Sequence, residues 1–197
     1  MGLGDKIARG VSVVLSNPIV GMAFGYALGL SETESMWGAP DQAAAVLAAL
    51  FVGVFPYLGA VIYYVMGKSD IFVSNREQRP ALIVTSLPMT IVGTLYFYIR
   101  GLHLVSVVLA LMLVETLIFL MITFKWKISL HVSGLTFPLT IVWIRNGVSA
   151  LAGFLLLPVL MWARVRMGAH SWEQVIVSAL VSLTMTYCGF RTLIPVV

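Results

Sequence analysis

Polar residues in this chain come in clusters separated by long apolar runs. The runs cover roughly 11–30, 43–66, 81–99, a stretch from beyond His103 to 124, 130–163, and 174–192. A helix that crosses a bilayer needs about 20 mainly apolar residues. Each run is therefore predicted as a transmembrane helix. The run 130–163 is interrupted by Arg145, Asn146 and Gly147, and reads as two shorter spans. The count is seven spans, or six if 130–163 is one element. Lys6 and Arg9 before the first run imitate a signal peptide, but the length of the run and the spans that follow predict a retained helix. Segment 31–42, SETESMWGAPDQ, reads as a polar loop. Pro80 suits the first turn of a new helix, where its missing N–H costs nothing.

Composition agrees with this pattern. Of the 197 residues, 60% are hydrophobic and 10% charged, and mean hydropathy is +1.00. Soluble domains carry about 25% charged residues. The fold class expected is an all-α integral membrane protein, a bundle of six to seven transmembrane helices. The short loops leave no room for a second domain, so residues 1–197 read as one membrane domain. The formal charge of +4 comes with no basic run interleaved with aromatics, which argues against nucleic acid. Basic residues instead gather on one side of the seven-span arrangement: Lys6, Arg9, Lys68, Arg76, Arg79, Lys125, Lys127, Arg164 and Arg166. The positive-inside tendency puts that face in the cytoplasm. The expected location is the plasma membrane of a prokaryotic cell. Gly21, Gly25 and Gly29 form a small-residue stripe that lets a helix approach closely, within the bundle or from a second copy in a homo-oligomer. The single cysteine, Cys188, reads as a small buried hydrophobe.

Three polar intervals fall on the basic side: 68–80, 125–131 and 164–174. His131 and His170 each stand near the start of an apolar helix, where free N–H groups and positive potential suit an anion. Arg79 and Arg164 add planar, permanently charged forks suited to phosphate oxygens. The residues read as an anion pocket holding two imidazoles at the membrane surface. No carboxylate cluster or Cys/His ligand spacing is present, so no metal and no cofactor is expected.

These fragments resemble the type 2 phosphatidic acid phosphatase superfamily, whose signatures are K-x6-R-P, P-S-G-H and S-R-x5-H-x3-D. Arg79-Pro80 matches the end of the first. ISLH, 128–131, matches the second at Ser129 and His131. ARVRMGAHSWEQ, 163–174, matches the third at Arg164 and His170. The resemblance covers about 68–190. Phe72 stands where the first motif has lysine, and Lys68 or Arg76 is a substitute. Ile128 and Leu130 replace the proline and glycine of the second motif. Ala163 replaces the serine of the third, and Gln174 its aspartate.

The resemblance implies a metal-independent lipid phosphate phosphatase. In it His170 attacks phosphorus to form a phosphohistidine. His131 protonates the leaving alkoxide and then activates water. Arg79, Arg164 and Ser129, with Arg76 and Lys68, hold the phosphoryl oxygens, and Gln174 orients His170. The substrates implied are isoprenyl phosphates or diphosphates, or glycerolipid phosphates, drawn from the bilayer. Gln174 and the missing lysine favour an alternative, a non-catalytic binder or carrier of anionic lipid on the same fold. An anion transporter fits less well, because the polar residues cluster at one face and not at the midplane. A magnesium-dependent prenyltransferase needs paired aspartates, and Asp5, Asp41 and Asp70 form no such pair.

Overall fold

The structure is a computed structural model describing residues 2–67 and 78–194, apart from the side chains of Arg79 and Leu82. The described residues are helical, with no strand among them. Hydrocarbon offers backbone groups no partner, and a helix satisfies them within itself. Five stretches are long and apolar enough to cross a bilayer: Leu3–Trp37, Gln42–Val65, His103–Lys125, Leu130–Arg166 and Trp172–Leu193. A shorter apolar helix covers Ile83–Ile99. The chain forms two compact units, residues 1–20 with 126–197, and residues 21–125.

The first unit begins with α1 (Leu3–Val14), which the chain leaves at Leu15 and Ser16 before starting α2 (Asn17–Trp37). The run 11–30 is thus not one continuous helix. Pro18 has no N–H to offer the carbonyl of Val14, and its ring would clash there. α1 packs on α8 (Leu156–Arg166), where Arg166 Nε lies 3.2 Å from Asp5 Oδ1. Both side chains are largely exposed, so that ion pair contributes little. α7 (Leu130–Asn146) and α9 (Trp172–Leu193) are held by two hydroxyls. Ser178 Oγ donates to the Ser129 carbonyl at 2.6 Å, and Ser182 Oγ to the Ser133 carbonyl at 3.3 Å. Each bond joins residues 49 apart, so the two helices run parallel. The chain must therefore return between them. Gly147, with φ 70°, ends α7, and a 3₁₀ segment, Gly147–Leu155, leads into α8 for the return. Val132, Leu135, Leu157, Leu160 and Val175 form the apolar core, and Val11 and Leu15 pack against it.

The second unit holds the rest of α2 with α3 (Gln42–Gly53), α4 (Leu58–Val65), α5 (Arg79–Ile99) and α6 (His103–Lys125). The glycine stripe is occupied within this chain. A Cβ at Gly25 would meet the Ala48 carbonyl oxygen at 2.7 Å, and one at Gly29 would meet Ala45 Cα at 2.7 Å. α3 therefore lies backbone to backbone on α2 along the stripe. The run 43–66 breaks at Pro56, where a 3₁₀ turn, Phe55–Tyr57, separates α3 from α4. The turn from α5 to α6 closes on Gly101 in the left-handed region, φ 78°, with Gly101 N–H bonded to Tyr98 O and Leu102 N–H to Phe97 O. Glycine adopts that conformation without a Cβ penalty.

Two further expectations are corrected. Segment 31–42 is not all loop, because α2 runs to Trp37 and buries Glu32 and Thr33. Glu32 has partners there: its carboxylate accepts the N–H groups of Leu104 at 2.6 Å and Val105 at 2.9 Å, in the first turn of α6. Thr33 Oγ1 accepts the Asp41 N–H. Cys188 is exposed rather than buried. The face of α9 that packs on α7 carries Ser178, Ser182 and Thr186, and Cys188 points elsewhere, about 200° around from Thr186.

Candidate functional site

The turn joining α8 to α9 explains the spacing of Arg164 and His170. α8 is closed off by Gly168, just past its cap, whose φ is 66°. The Gly168 N–H bonds to Val165 O at 2.9 Å and the Ala169 N–H to Arg164 O at 3.1 Å. This is a Schellman closure, with Arg164 three residues before the cap and Gly168 just past it. The chain then extends at Ser171, φ −84° and ψ 167°, which caps α9. Gln174, three residues on, completes a capping box: Ser171 N–H donates to Gln174 Oε1 at 3.3 Å, and Gln174 N–H reaches Ser171 Oγ at 3.5 Å. Two local motifs back to back thus set the five-residue gap. They leave Arg164 at 2% exposure and His170 at 7%.

His170 Nδ1 lies 3.0 Å from Gln174 Oε1. That atom is an oxygen, because it also receives the Ser171 N–H, and an amide oxygen accepts only. Nδ1 therefore carries the hydrogen. In the neutral ring the lone pair is on Nε2, the nitrogen turned away from Gln174.

Ser129 caps α7 with extended backbone, φ −92° and ψ 100°, yet its hydroxyl makes no capping bond. The residue is fully buried, and Oγ has no hydrogen-bond partner among the described residues. A serine at this position ordinarily accepts an N–H of its own helix. A buried hydroxyl without a partner costs about 1–3 kcal/mol. Its position, at the mouth of a helix of 17 residues, suits an oxyanion. His131 follows in the first turn of α7 and is half-buried.

Because α7 and α9 run parallel, both imidazoles stand at the N-terminal ends of their helices, at one end of this unit. Arg164 joins them at the end of α8 that leads into α9. Ser178 is level with Ser129, so α9 starts about 10 Å before α7 does, at 1.5 Å per residue. His131 therefore lies further along the helix axes than His170, which is the more buried of the two. Ser129, His131, Arg164, His170 and Gln174 thus share one end of one unit. Arg79 opens α5 in the other unit, and its side chain lies outside the described atoms, as do Lys68 and Arg76 entirely. Among the described residues no group of three or more His, Cys, Asp or Glu side chains gathers as a metal site.

Reading by motif passed over Ser178 and Asn17. Ser178 ties α9 to the residue that caps α7. Asn17 donates from Nδ2 to the Leu130 carbonyl at 2.8 Å. The signal for Asn17 is its type, an amide next to proline inside an apolar run. For Ser178 the signal is the four-residue repeat with Ser182 and Thr186. No protein-family model, curated protein or solved structure matches this chain.

Proposed function

We propose that the chain is a metal-independent phosphatase of lipid phosphates, working through a phosphohistidine on His170. The observation that carries the reading is the His170–Gln174 pair, on the turn that also carries buried Arg164. It supplies an imidazole with its hydrogen held at Nδ1, so that in the neutral ring Nε2 is the nitrogen that attacks, and Arg164 adds a permanent cation on the same turn. Attack of Nε2 on phosphorus forms the N–P bond and breaks the P–O bond to the lipid. His131 gives the leaving alkoxide its proton, then takes one from the water that cleaves the phosphohistidine. Arg164 and the Ser129 hydroxyl receive the phosphoryl oxygens as charge builds on them. The motif resemblance assigns Arg79, Arg76 and Lys68 to the same phosphate by sequence alone. Substrates of this class are isoprenyl phosphates or diphosphates and glycerolipid phosphates, whose tails remain in lipid.

In this reading the chain has seven spans. α5 adds one to the five long stretches, and the stretch from α7 to α8, folding back at Gly147, counts as two. The basic face lies toward the cytoplasm of a prokaryotic cell. The test is phosphate release by the purified protein in detergent from a panel of lipid phosphates, with His170→Ala alongside. Turnover by wild type, abolished in a folded His170→Ala, supports the reading; undiminished turnover in that variant removes it. The alternative, a binder of anionic lipid without turnover, draws on Gln174. A glutamine serves a capping box fully but cannot balance an imidazolium as a carboxylate does. Binding that depends on Arg164, with no phosphate release from any of the panel, selects it.

A further inference from the structure

Asn17 is a polar side chain planted in an apolar stretch, and its hydrogen bonds do not account for it. Its backbone opens α2 beside Pro18, where an asparagine commonly serves its own helix. Its side chain instead crosses to α7, and Nδ2 donates to the Leu130 carbonyl at 2.8 Å. That carbonyl already receives the Ser133 hydroxyl at 3.0 Å, so it has no need of Asn17. The other atom of the amide, Oδ1, is buried with no hydrogen-bond partner among the described residues. An acceptor buried in this way is a cost to folding. The amide also needs a seat cleared for it: a Cβ on Gly134 would overlap the Asn17 side chain. An aliphatic residue of the same shape would fill the seat without that cost.

A residue that leaves a buried acceptor unpaired, fitted against the turn that presents Ser129 and His131, has its explanation in the position of that turn. We infer that Asn17 is a positioning residue, which pins the first turn of α7 through Leu130 and so holds Ser129 and His131 in place. The inference rests on the phosphatase reading of that end of the unit. Ser129 and His131 flank Leu130 in sequence, so a shift of the Leu130 carbonyl moves both. A misplacement of about 1 Å is enough to lower turnover by up to about a hundredfold.

The test compares wild type with Asn17→Leu, purified in detergent. It measures the thermal midpoint, kcat and KM on short-chain phosphatidic acid, and amide hydrogen exchange over residues 128–136. The expected result is a thermal midpoint kept or raised, kcat lower by about tenfold or more, and KM within about twofold. The Leu130–Gly134 amides should exchange faster. A folded Asn17→Leu with unchanged kcat and unchanged exchange overturns the inference. So does a kcat loss that merely follows the folded fraction. If Asn17→Leu does not fold, Gly134→Ala displaces the same amide from the other side and should reproduce the kcat loss; unchanged kcat there counts against the inference. If wild type turns over no lipid phosphate, the phosphatase reading fails and the exchange measurement alone decides for Asn17. Faster exchange then keeps the pinning role, and unchanged exchange removes it.

Discussion

The oxygen of the Gln174 side chain sits 3.0 Å from His170 Nδ1, on the residue that also closes the capping box of α9. One amide therefore fixes where the helix starts and which imidazole nitrogen carries the proton. These two duties respond differently to substitution. Gln174→Glu keeps the box, since glutamate serves that position equally well, and adds a charge that favours the cationic ring formed on attack. Turnover of lipid phosphate should rise by about tenfold, equivalent to about 1.4 kcal/mol of transition-state stabilisation. Gln174→Ala removes both duties, and should lower turnover together with about 1 kcal/mol of stability. Initial rates of phosphate release and thermal unfolding read these out. A Gln174→Glu no faster than wild type would show that His170 gains no positive charge in the limiting step.

Ser129 separates stability from binding. Its hydroxyl is buried without a partner, so Ser129→Ala deletes a cost and should leave stability unchanged or raise it by about 1 kcal/mol. If the hydroxyl receives a phosphoryl oxygen, affinity for the phosphate mimic orthovanadate should fall about tenfold, the equivalent of one charge-assisted hydrogen bond. Competition by orthovanadate in the turnover assay measures this. Equal affinities would remove Ser129 from the phosphate site.

Gly168 holds φ at 66°, where a Cβ crowds the following carbonyl. Gly168→Ala should cost about 1–2 kcal/mol of stability. The same turn joins Arg164 to His170, so activity per folded molecule should fall as well. Gly10, inside α1 with open space around its Cβ position, is the control: alanine there should be stabilising by up to about 1 kcal/mol. Thermal melts of the two variants should move in opposite directions.

Glu32 serves the second unit as a helix cap supplied from another helix. Its carboxylate accepts two N–H groups of α6, and hydrogen bonds to charged groups contribute about 1.5–3 kcal/mol each. Glu32→Ala should destabilise by about 3 kcal/mol or more, and Glu32→Gln, which retains one acceptor, by less. Amide exchange at Leu104 and Val105 should accelerate in the same order. An unchanged melt for Glu32→Ala would show that water replaces the carboxylate at no cost.

How much was legible differs from element to element. The apolar runs place α5, α6 and α9 within a few residues, because length and hydropathy leave such stretches one way to satisfy their backbone. The run 11–30 hid a break at Ser16, although Pro18 stood in plain sight, because hydropathy averages over a single proline. Glu32 misled in the other direction: a carboxylate reads as loop until the N–H groups of Leu104 and Val105, about 70 residues away, are brought to it. At the candidate site, residue type and spacing singled out Arg164, His131 and His170, and the structure puts the three in one unit. Asn17 and Ser178 have a signal of their own in the sequence, but the backbone carbonyls they bond carry none, so their partners were not legible.

The amino-acid sequence alone determined that the chain is helical and able to cross a bilayer, since backbone groups surrounded by apolar side chains bond only to one another. It also determined the turn from Arg164 to His170, whose glycine, serine and glutamine act on near neighbours. The tertiary structure decided that α7 and α9 run parallel, and therefore that His131 and His170 share one end of a unit. Helix direction depends on which faces interlock, and the hydroxyls of Ser178 and Ser182 find their carbonyl partners only once distant segments have packed.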